Sequence, residues 1–89
     1  MNNLVLYDFF SRTCGPCRII EPTVDKIKVD YPHITVKKID IYENPDMSQK
    51  FKIFAMPTFV LIDTSLPKNK QEIGRVIGAN KDKLFALIK

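Results

Sequence analysis

The chain lacks tryptophan and is poor in cysteine, histidine and glycine: of its 89 residues, two are cysteine, one is histidine and three are glycine. Because both cysteines, Cys14 and Cys17, lie in one short segment, a framework of structural disulfides is excluded, and the cysteine usage fits a reducing compartment. A zinc site needs about four ligands. His33 adds only one further candidate, so a metal site within one chain would have to recruit carboxylates or water. The scarcity therefore favours one functional thiol pair over a metal centre.

Long apolar runs are also missing from the sequence. No stretch approaches the roughly 20 apolar residues that span a membrane, and the first three residues lack the positive charge of a signal peptide. The net charge is +4, but the lysines and arginines are scattered, which favours a solvated basic surface over nucleic-acid binding. We therefore expect a cytoplasmic protein that contacts neither a membrane nor nucleic acid.

The order of apolar segments predicts a single α/β domain, β-α-β-α-β-β-α, over residues 1–89. Pro22 should kink the first helix without ending it, because it removes one backbone hydrogen bond. Asn44 and Asn80 are the expected caps of the second and third helices. The helical crossover makes the first two strands parallel. The predicted strands cover 4–10, 34–41, 58–62 and 72–77, the hairpin loop covers 63–71, and the helices cover 15–30, about 45–51 and the residues after 80.

The segment 14–17 reads Cys-Gly-Pro-Cys and lies where a predicted strand is followed by a predicted helix. At a helix N-terminus, free N–H groups and the helix dipole stabilise a thiolate, which is the nucleophile of disulfide exchange. We expect Cys14 to be exposed and to attack the target disulfide, and Cys17, one turn inward, to resolve the mixed disulfide. Pro16 stiffens the first turn, and Gly15 leaves room for a substrate backbone.

A second candidate is a carboxylate inside the first apolar strand. Burial of Asp8 should be costly and should raise its pKa, and its place six residues before Cys14 puts it beneath the two sulfurs. There it could accept the proton of Cys17 in the resolving step. A strand-end aspartate that faces water is an equally supported alternative. Lys38, on the neighbouring strand, could reach Asp8 and tune its charge, or could simply be solvated.

The third candidate is the segment Met56-Pro57-Thr58, just before a predicted strand. A cis bond in a tight turn before Pro57 would leave the backbone groups of Met56 free to bind an extended peptide. The alternative is a trans proline that only starts the strand. Gly78 marks either another close approach of backbones or an ordinary turn.

Taken in order, these segments resemble the thioredoxin family. The resemblance rests on the strand and motif from Val5 to Arg18, the kink proline Pro22, the stretch 39–45, the Met56–Thr58 loop and the turn at Gly78. It covers nearly the whole chain, and the combination of Cys-Gly-Pro-Cys with a downstream Pro-Thr is specific. It implies a thioredoxin-like fold, with a mixed four-stranded core sheet and helices on both faces.

For function, the resemblance implies a thiol–disulfide oxidoreductase that reduces protein disulfides through a redox-active Cys14–Cys17 disulfide. Asp8 would be the buried acid or base, with Lys38 near it. Electrons would come from thioredoxin reductase, whose NADPH and FAD belong to that partner, so this chain would hold no cofactor or metal. Such a monomeric carrier would serve electron transport and cell redox homeostasis. The implied substrate-binding residues are Gly15, Pro16, Met56, Pro57, Thr58 and Gly78.

The sequence also departs from the family pattern. Thr13 and Phe10 stand where the family usually has tryptophans, which reduces the apolar surface around Cys14. The chain starts at the central strand, so we expect a domain without the usual leading strand and helix. Two other readings stay open: a glutaredoxin-like reductant recharged by glutathione, and a binding subunit that uses the fold without redox turnover.

Overall fold

The protein is described here by a computed structural model that covers residues 3–89. Its elements follow the predicted order, β-α-β-α-β-β-α, with one short 3-10 turn in the hairpin loop. The strands are β1 (Leu4–Phe10), β2 (Thr35–Asp40), β3 (Thr58–Asp63) and β4 (Glu72–Ile77), the helices are α1 (Gly15–Asp30), α2 (Pro45–Lys50) and α3 (Lys81–Ile88), and the 3-10 turn is Lys68–Lys70.

The four strands form one mixed sheet in the order β2-β1-β3-β4. Strand β1 is parallel to β2 and antiparallel to β3, and β3 is antiparallel to β4, so the predicted sheet is confirmed. In this register Asp8 pairs with Lys38 on one side and with Phe59 on the other. The C-terminal end of β1 therefore lies beside the start of β3, where Phe9 pairs with Thr58, and the Cys-Gly-Pro-Cys segment follows shortly after this end of β1.

Side chains alternate between two cores because successive strand residues point to opposite faces. One core joins the sheet to α1 and α3, and the other joins it to α2 and the segment after it, so helices on both faces are confirmed. The first core contains Leu6, Ile20, Val24, Ile27, Ile34, Phe59, Leu61, Val76, Leu84 and Ile88. The second contains Phe9, Ile53, Val60 and Ile62, with Met47 and Phe51 packed against them.

Several local predictions need correction. Asn44 occupies the cap position of α2, but its side chain makes no capping hydrogen bond, because its amide donates to the carbonyl of Asp40 at 3.1 Å instead. Asn80 does cap α3, accepting from the N–H of Lys83 at 3.0 Å. Strand β2 begins one residue later and ends one residue earlier than predicted. As predicted, Pro22 lies inside α1 without ending the helix.

Candidate active site

The two cysteines lie at the junction of β1 and α1, and they form a disulfide. Cys14 is the N-cap of α1, and its sulfur accepts a hydrogen bond from the backbone N–H of Cys17 at 3.1 Å. An N–H donor aimed at this sulfur, together with the positive end of the helix, favours a negative charge there. Cys14 is half-buried, whereas Cys17 is only 8 % exposed. The geometry therefore makes Cys14 the accessible sulfur and Cys17 the shielded one.

A tight turn holds Cys14 in this position. The N–H of Cys14 donates to the carbonyl of Ser11 at 3.3 Å, and the N–H of Arg18 donates to the carbonyl of Cys14 at 3.3 Å. Pro16 suits the first turn because the N–H it lacks would have no partner inside the helix. A Cβ at Gly15 would meet no atom within 4 Å, so nothing in the fold itself fills the space in front of this residue. That opening leaves room for a substrate backbone.

Asp8 is buried in a pocket that Cys17 also lines. It is 6 % exposed, and its Oδ1 atom has no hydrogen-bond partner among residues 3–89. Loss of hydration raises the pKa of Asp8 from 3.8 to about 6, while the charge of Lys38 acts in the opposite direction. Asp8 and Cys17 line the same pocket of about 370 Å³. The alternative of a water-facing aspartate is therefore wrong, and the carboxyl can hold or release a proton near neutral pH.

Lys38 stands beside Asp8 in the sheet register and lines the same pocket. Its ammonium nevertheless pairs with α1: Nζ lies 3.4 Å from Glu21 Oε1 and 3.7 Å from Asp25 Oδ1. The positive charge still lowers the pKa of Asp8, as the sequence suggested. The ion pairs of Lys38, however, are made with the helix and not with the buried carboxyl.

The Met56–Pro57 bond is cis, as predicted. Pro57 and Thr58 are buried and Met56 is half-buried, and the hydroxyl of Thr58 donates to the carbonyl of Ala55 at 2.6 Å. The N–H of Gly78 donates to the carbonyl of Pro57 at 2.8 Å. This join requires a φ of +100° at Gly78, a backbone conformation that other residues rarely adopt. Gly78 is therefore a turn glycine whose N–H also joins this turn to the backbone of the Met56–Thr58 loop.

The sheet register places the Met56–Thr58 loop and the Gly78 turn at the end of the sheet from which β1 leads to the dithiol. Thr58 pairs with Phe9, five residues before Cys14 in the chain, and Ile77 pairs with Thr58. The loop Met56–Thr58 and the turn at Gly78 thus form one border beside the dithiol. Partly exposed backbone in such a border can pair with an extended peptide.

Comparison with known proteins agrees with this geometry. The thioredoxin family model matches residues 1–89. The chain belongs to the thioredoxin family. The H-type thioredoxin of Fagopyrum esculentum is 38 % identical over 82 residues, which are 92 % of this chain and 66 % of that protein. Thioredoxin H2 of Arabidopsis thaliana is 42 % identical over 83 residues, which are 93 % of this chain and 59 % of that protein.

Solved thioredoxins have the same fold. Mitochondrial thioredoxin 3 of Saccharomyces cerevisiae, in its oxidised form, superposes with a TM-score of 0.85 at 38 % identity, over 99 % of this chain and 78 % of that one. The thioredoxin of Fasciola hepatica gives 0.86 at 38 % identity, over 98 % and 79 %. The predicted thioredoxin-like fold is confirmed. The chain nevertheless spans less than two thirds of the length of the curated relatives described above.

The sequence did not predict the ion pairs that Arg12 forms beside this thioredoxin-type site. Arg12, in the turn before Cys14, pairs through Nε with Asp40 Oδ2 at 3.4 Å and through Nη2 with Glu43 Oε2 at 3.3 Å. Its carbonyl accepts from Arg18 Nη2 at 2.8 Å. The turn is thus fastened both to α1 and to the end of β2. The position of Asp40 at the end of β2 could have indicated part of this arrangement. An aspartate at a strand end commonly accepts a hydrogen bond from the N–H two residues later, here that of Tyr42 at 2.9 Å.

Within residues 3–89, no group of three or more histidine, cysteine, aspartate or glutamate side chains is arranged to hold a metal ion. In the same part of the chain, none of the helices has the length and apolar character that crossing a bilayer requires.

Proposed function

We propose that this chain reduces protein disulfides by dithiol–disulfide exchange through Cys14 and Cys17. The observation that carries the proposal is the hydrogen bond from the N–H of Cys17 to the sulfur of Cys14 at the start of α1. Because this contact favours the thiolate, Cys14 is prepared to attack. Membership of the thioredoxin family supports the same chemistry.

The first step is attack by the Cys14 thiolate on one sulfur of the target disulfide. A bond forms between the Cys14 sulfur and that target sulfur, and the other target sulfur leaves as a thiolate. In the second step Asp8 accepts the proton of Cys17, with which it shares a pocket. The Cys17 thiolate then attacks the Cys14 sulfur, and the second target thiolate leaves. The target gains two electrons, and the chain ends with its own disulfide.

The target would bind as an extended peptide along the border beside the dithiol. Open space in front of Gly15 and the exposed Pro16 lie on one side of Cys14. Met56, the cis Pro57 and Thr58, joined to Gly78, lie on the other. Backbone pairing of this kind recognises an extended strand with little regard for its sequence, while side-chain contacts refine the choice.

Recharging would return two electrons to the disulfide from thioredoxin reductase, which carries the NADPH and FAD chemistry. A reducing compartment such as the cytoplasm suits this cycle, because the chain has no cysteine outside the pair. One solved relative, 36 % identical with a TM-score of 0.85, comes from a study of thiol resolution in a yeast mitochondrial 1-Cys peroxiredoxin via glutathione and thioredoxin systems. That relative supports oxidised protein thiols as the target class.

The test compares Cys14→Ser with Cys17→Ser in the reduction of a disulfide-bonded protein such as insulin, with dithiothreitol as electron donor. We expect both variants to lose turnover. Pre-reduced Cys17→Ser, freed of dithiothreitol before the target is added, should still attack and should accumulate a covalent mixed disulfide with the target, whereas Cys14→Ser treated in the same way should form none. Turnover by Cys14→Ser would contradict the assigned order of attack. A wild-type chain that fails to reduce the target while remaining folded would refute the proposed reaction.

A further inference from the structure

The pocket that Asp8 and Cys17 share is also lined by Lys38 and Glu21, which form an ion pair. Lys38 Nζ lies 3.4 Å from Glu21 Oε1 and 3.7 Å from Asp25 Oδ1. These two carboxylates are four residues apart on α1 and therefore lie on the same side of the helix. They contact the ammonium together, from the helix side of the pocket.

The sheet gives Lys38 another potential partner. Lys38 is the register partner of Asp8 across β1 and β2, and both side chains line the pocket. Yet Asp8 Oδ1 is buried without a hydrogen-bond partner among the described residues. The ammonium of Lys38 thus pairs with α1, while Asp8, its neighbour in the sheet, forms no ion pair with it.

The pairing of Lys38 with α1 matters because a carboxylate in direct contact with a cation is a weak base. A cation in contact with a buried carboxylate favours its charged form and reduces its affinity for a proton. Asp8 must take a proton from Cys17 if the proposed resolving step is to proceed. An ammonium held away from Asp8 leaves more of this affinity intact.

We propose that Glu21, with help from Asp25, is a positioning residue that holds the Lys38 ammonium against α1 and so keeps Asp8 unpaired for the Cys17 thiol. The inference rests on the proposed function for the role of Asp8. Glu21 is the closer of the two carboxylates to the ammonium. Its side chain is 55 % exposed, so its substitution should leave the core unchanged.

Glu21 is one of several charges around Asp8, and their effects must be separated. The charge of Glu21 raises the pKa of Asp8, and the charges of Lys38 and Lys28 lower it. Loss of Glu21 would therefore act in two ways with the same sign: its own negative charge disappears, and Lys38 is released toward Asp8. The other charged residues lining the pocket are Arg12 and Arg18.

The experiment follows the pKa of Asp8 by carbon-13 NMR of its carboxyl group, in the full oxidised chain without substrate. We expect Glu21→Gln to lower this pKa from about 6 toward the ordinary 3.8. In a Lys38→Met background, which has no ammonium to release, the same substitution should produce a distinctly smaller shift. Asp30→Asn controls for the loss of one negative charge from α1, and thermal unfolding checks that each variant is folded.

Equal shifts in the two backgrounds would overturn the proposal, because Glu21 would then act only through its own charge. An unchanged pKa in Glu21→Gln would overturn it as well. A kinetic readout completes the test: in Glu21→Gln the acid limb of the pH profile for the resolving step should move to lower pH. Since the titration needs no target protein, its failure is distinguishable from a failure of disulfide reduction.

Discussion

Asp8 loses most of its hydration in the pocket that it shares with Cys17. Burial raises the pKa of its carboxyl from 3.8 to about 6, so the folded state binds a proton more tightly than the unfolded state. The stability associated with protonated Asp8 is fully present below pH 3.8 and is lost as the pH rises through about 6. A group needed for proton transfer thus lowers the stability of the fold at neutral pH.

Asp8→Asn should relieve this cost. The neutral amide avoids ionisation in the pocket, so the free energy of unfolding of the variant, relative to wild type, should rise by about 2 kcal/mol between about pH 4 and about pH 8. Denaturant unfolding of the oxidised proteins at both pH values measures the change. Asp30→Asn, at the exposed end of α1, controls for loss of a negative charge. A difference that is independent of pH would contradict the account.

For single residues, the sequence predicted the reactive groups better than it predicted the ion pairs around them. The position of the dithiol followed from residue type and spacing, whereas the burial of Asp8 and the cis bond before Pro57 were each one of two interpretations that the sequence left open and the structure decided. The ion pairs of Arg12 and Lys38 did not follow. They depend on which of several nearby carboxylates a long side chain reaches, and local sequence leaves that choice open.

Strand β4 and helix α3 pack closely at Gly74. A Cβ at this position would lie 2.6 Å from Leu87 Cδ1, nearer than side chains normally approach. The strand is also irregular here: Leu61 pairs with Gly74 and Ile62 with Glu72, so Ile73 is the extra residue of a bulge. The glycine therefore lets α3 lie directly against the edge strand that bears the Gly78 turn.

Gly74→Val should destabilise the protein by about 1–3 kcal/mol, because the added branched side chain must displace Leu87. Gly74→Ala should cost less, since the end of a half-buried leucine can move aside. Denaturant unfolding provides the measurement. In a Leu87→Ala background the penalty of Gly74→Val should shrink, and an undiminished penalty would show that this contact is not its cause.

Element order and type could be predicted from the sequence because each apolar run has a clear period and most boundaries carry proline, glycine or asparagine. The two asparagine caps show the limit of such rules. Asn80 caps its helix through Lys83, whereas Asn44 turns its amide to the carbonyl of Asp40. The Asp40 carbonyl competes for the Asn44 side chain, and a capping rule based on residue type does not include this competitor.

At the scale of the whole molecule, the site lies at one end of the strands of the sheet. There β1 leads to the dithiol, the cis-proline loop leads into β3, and β4 leads to Gly78. The family pattern predicts this convergence, but Thr13 and Phe10 replace its usual tryptophans and Thr13 is exposed. The surface next to Cys14 therefore bears an exposed polar side chain at this position.

The reduction potential of the Cys14–Cys17 couple tests the central claim most directly. It is measured by equilibrating the chain with defined thiol buffers and trapping the free thiols. The account predicts a value near roughly −270 mV, the potential of a thioredoxin-type reductant. A value of about −200 mV or higher would contradict it and would favour a glutathione-coupled or oxidising role.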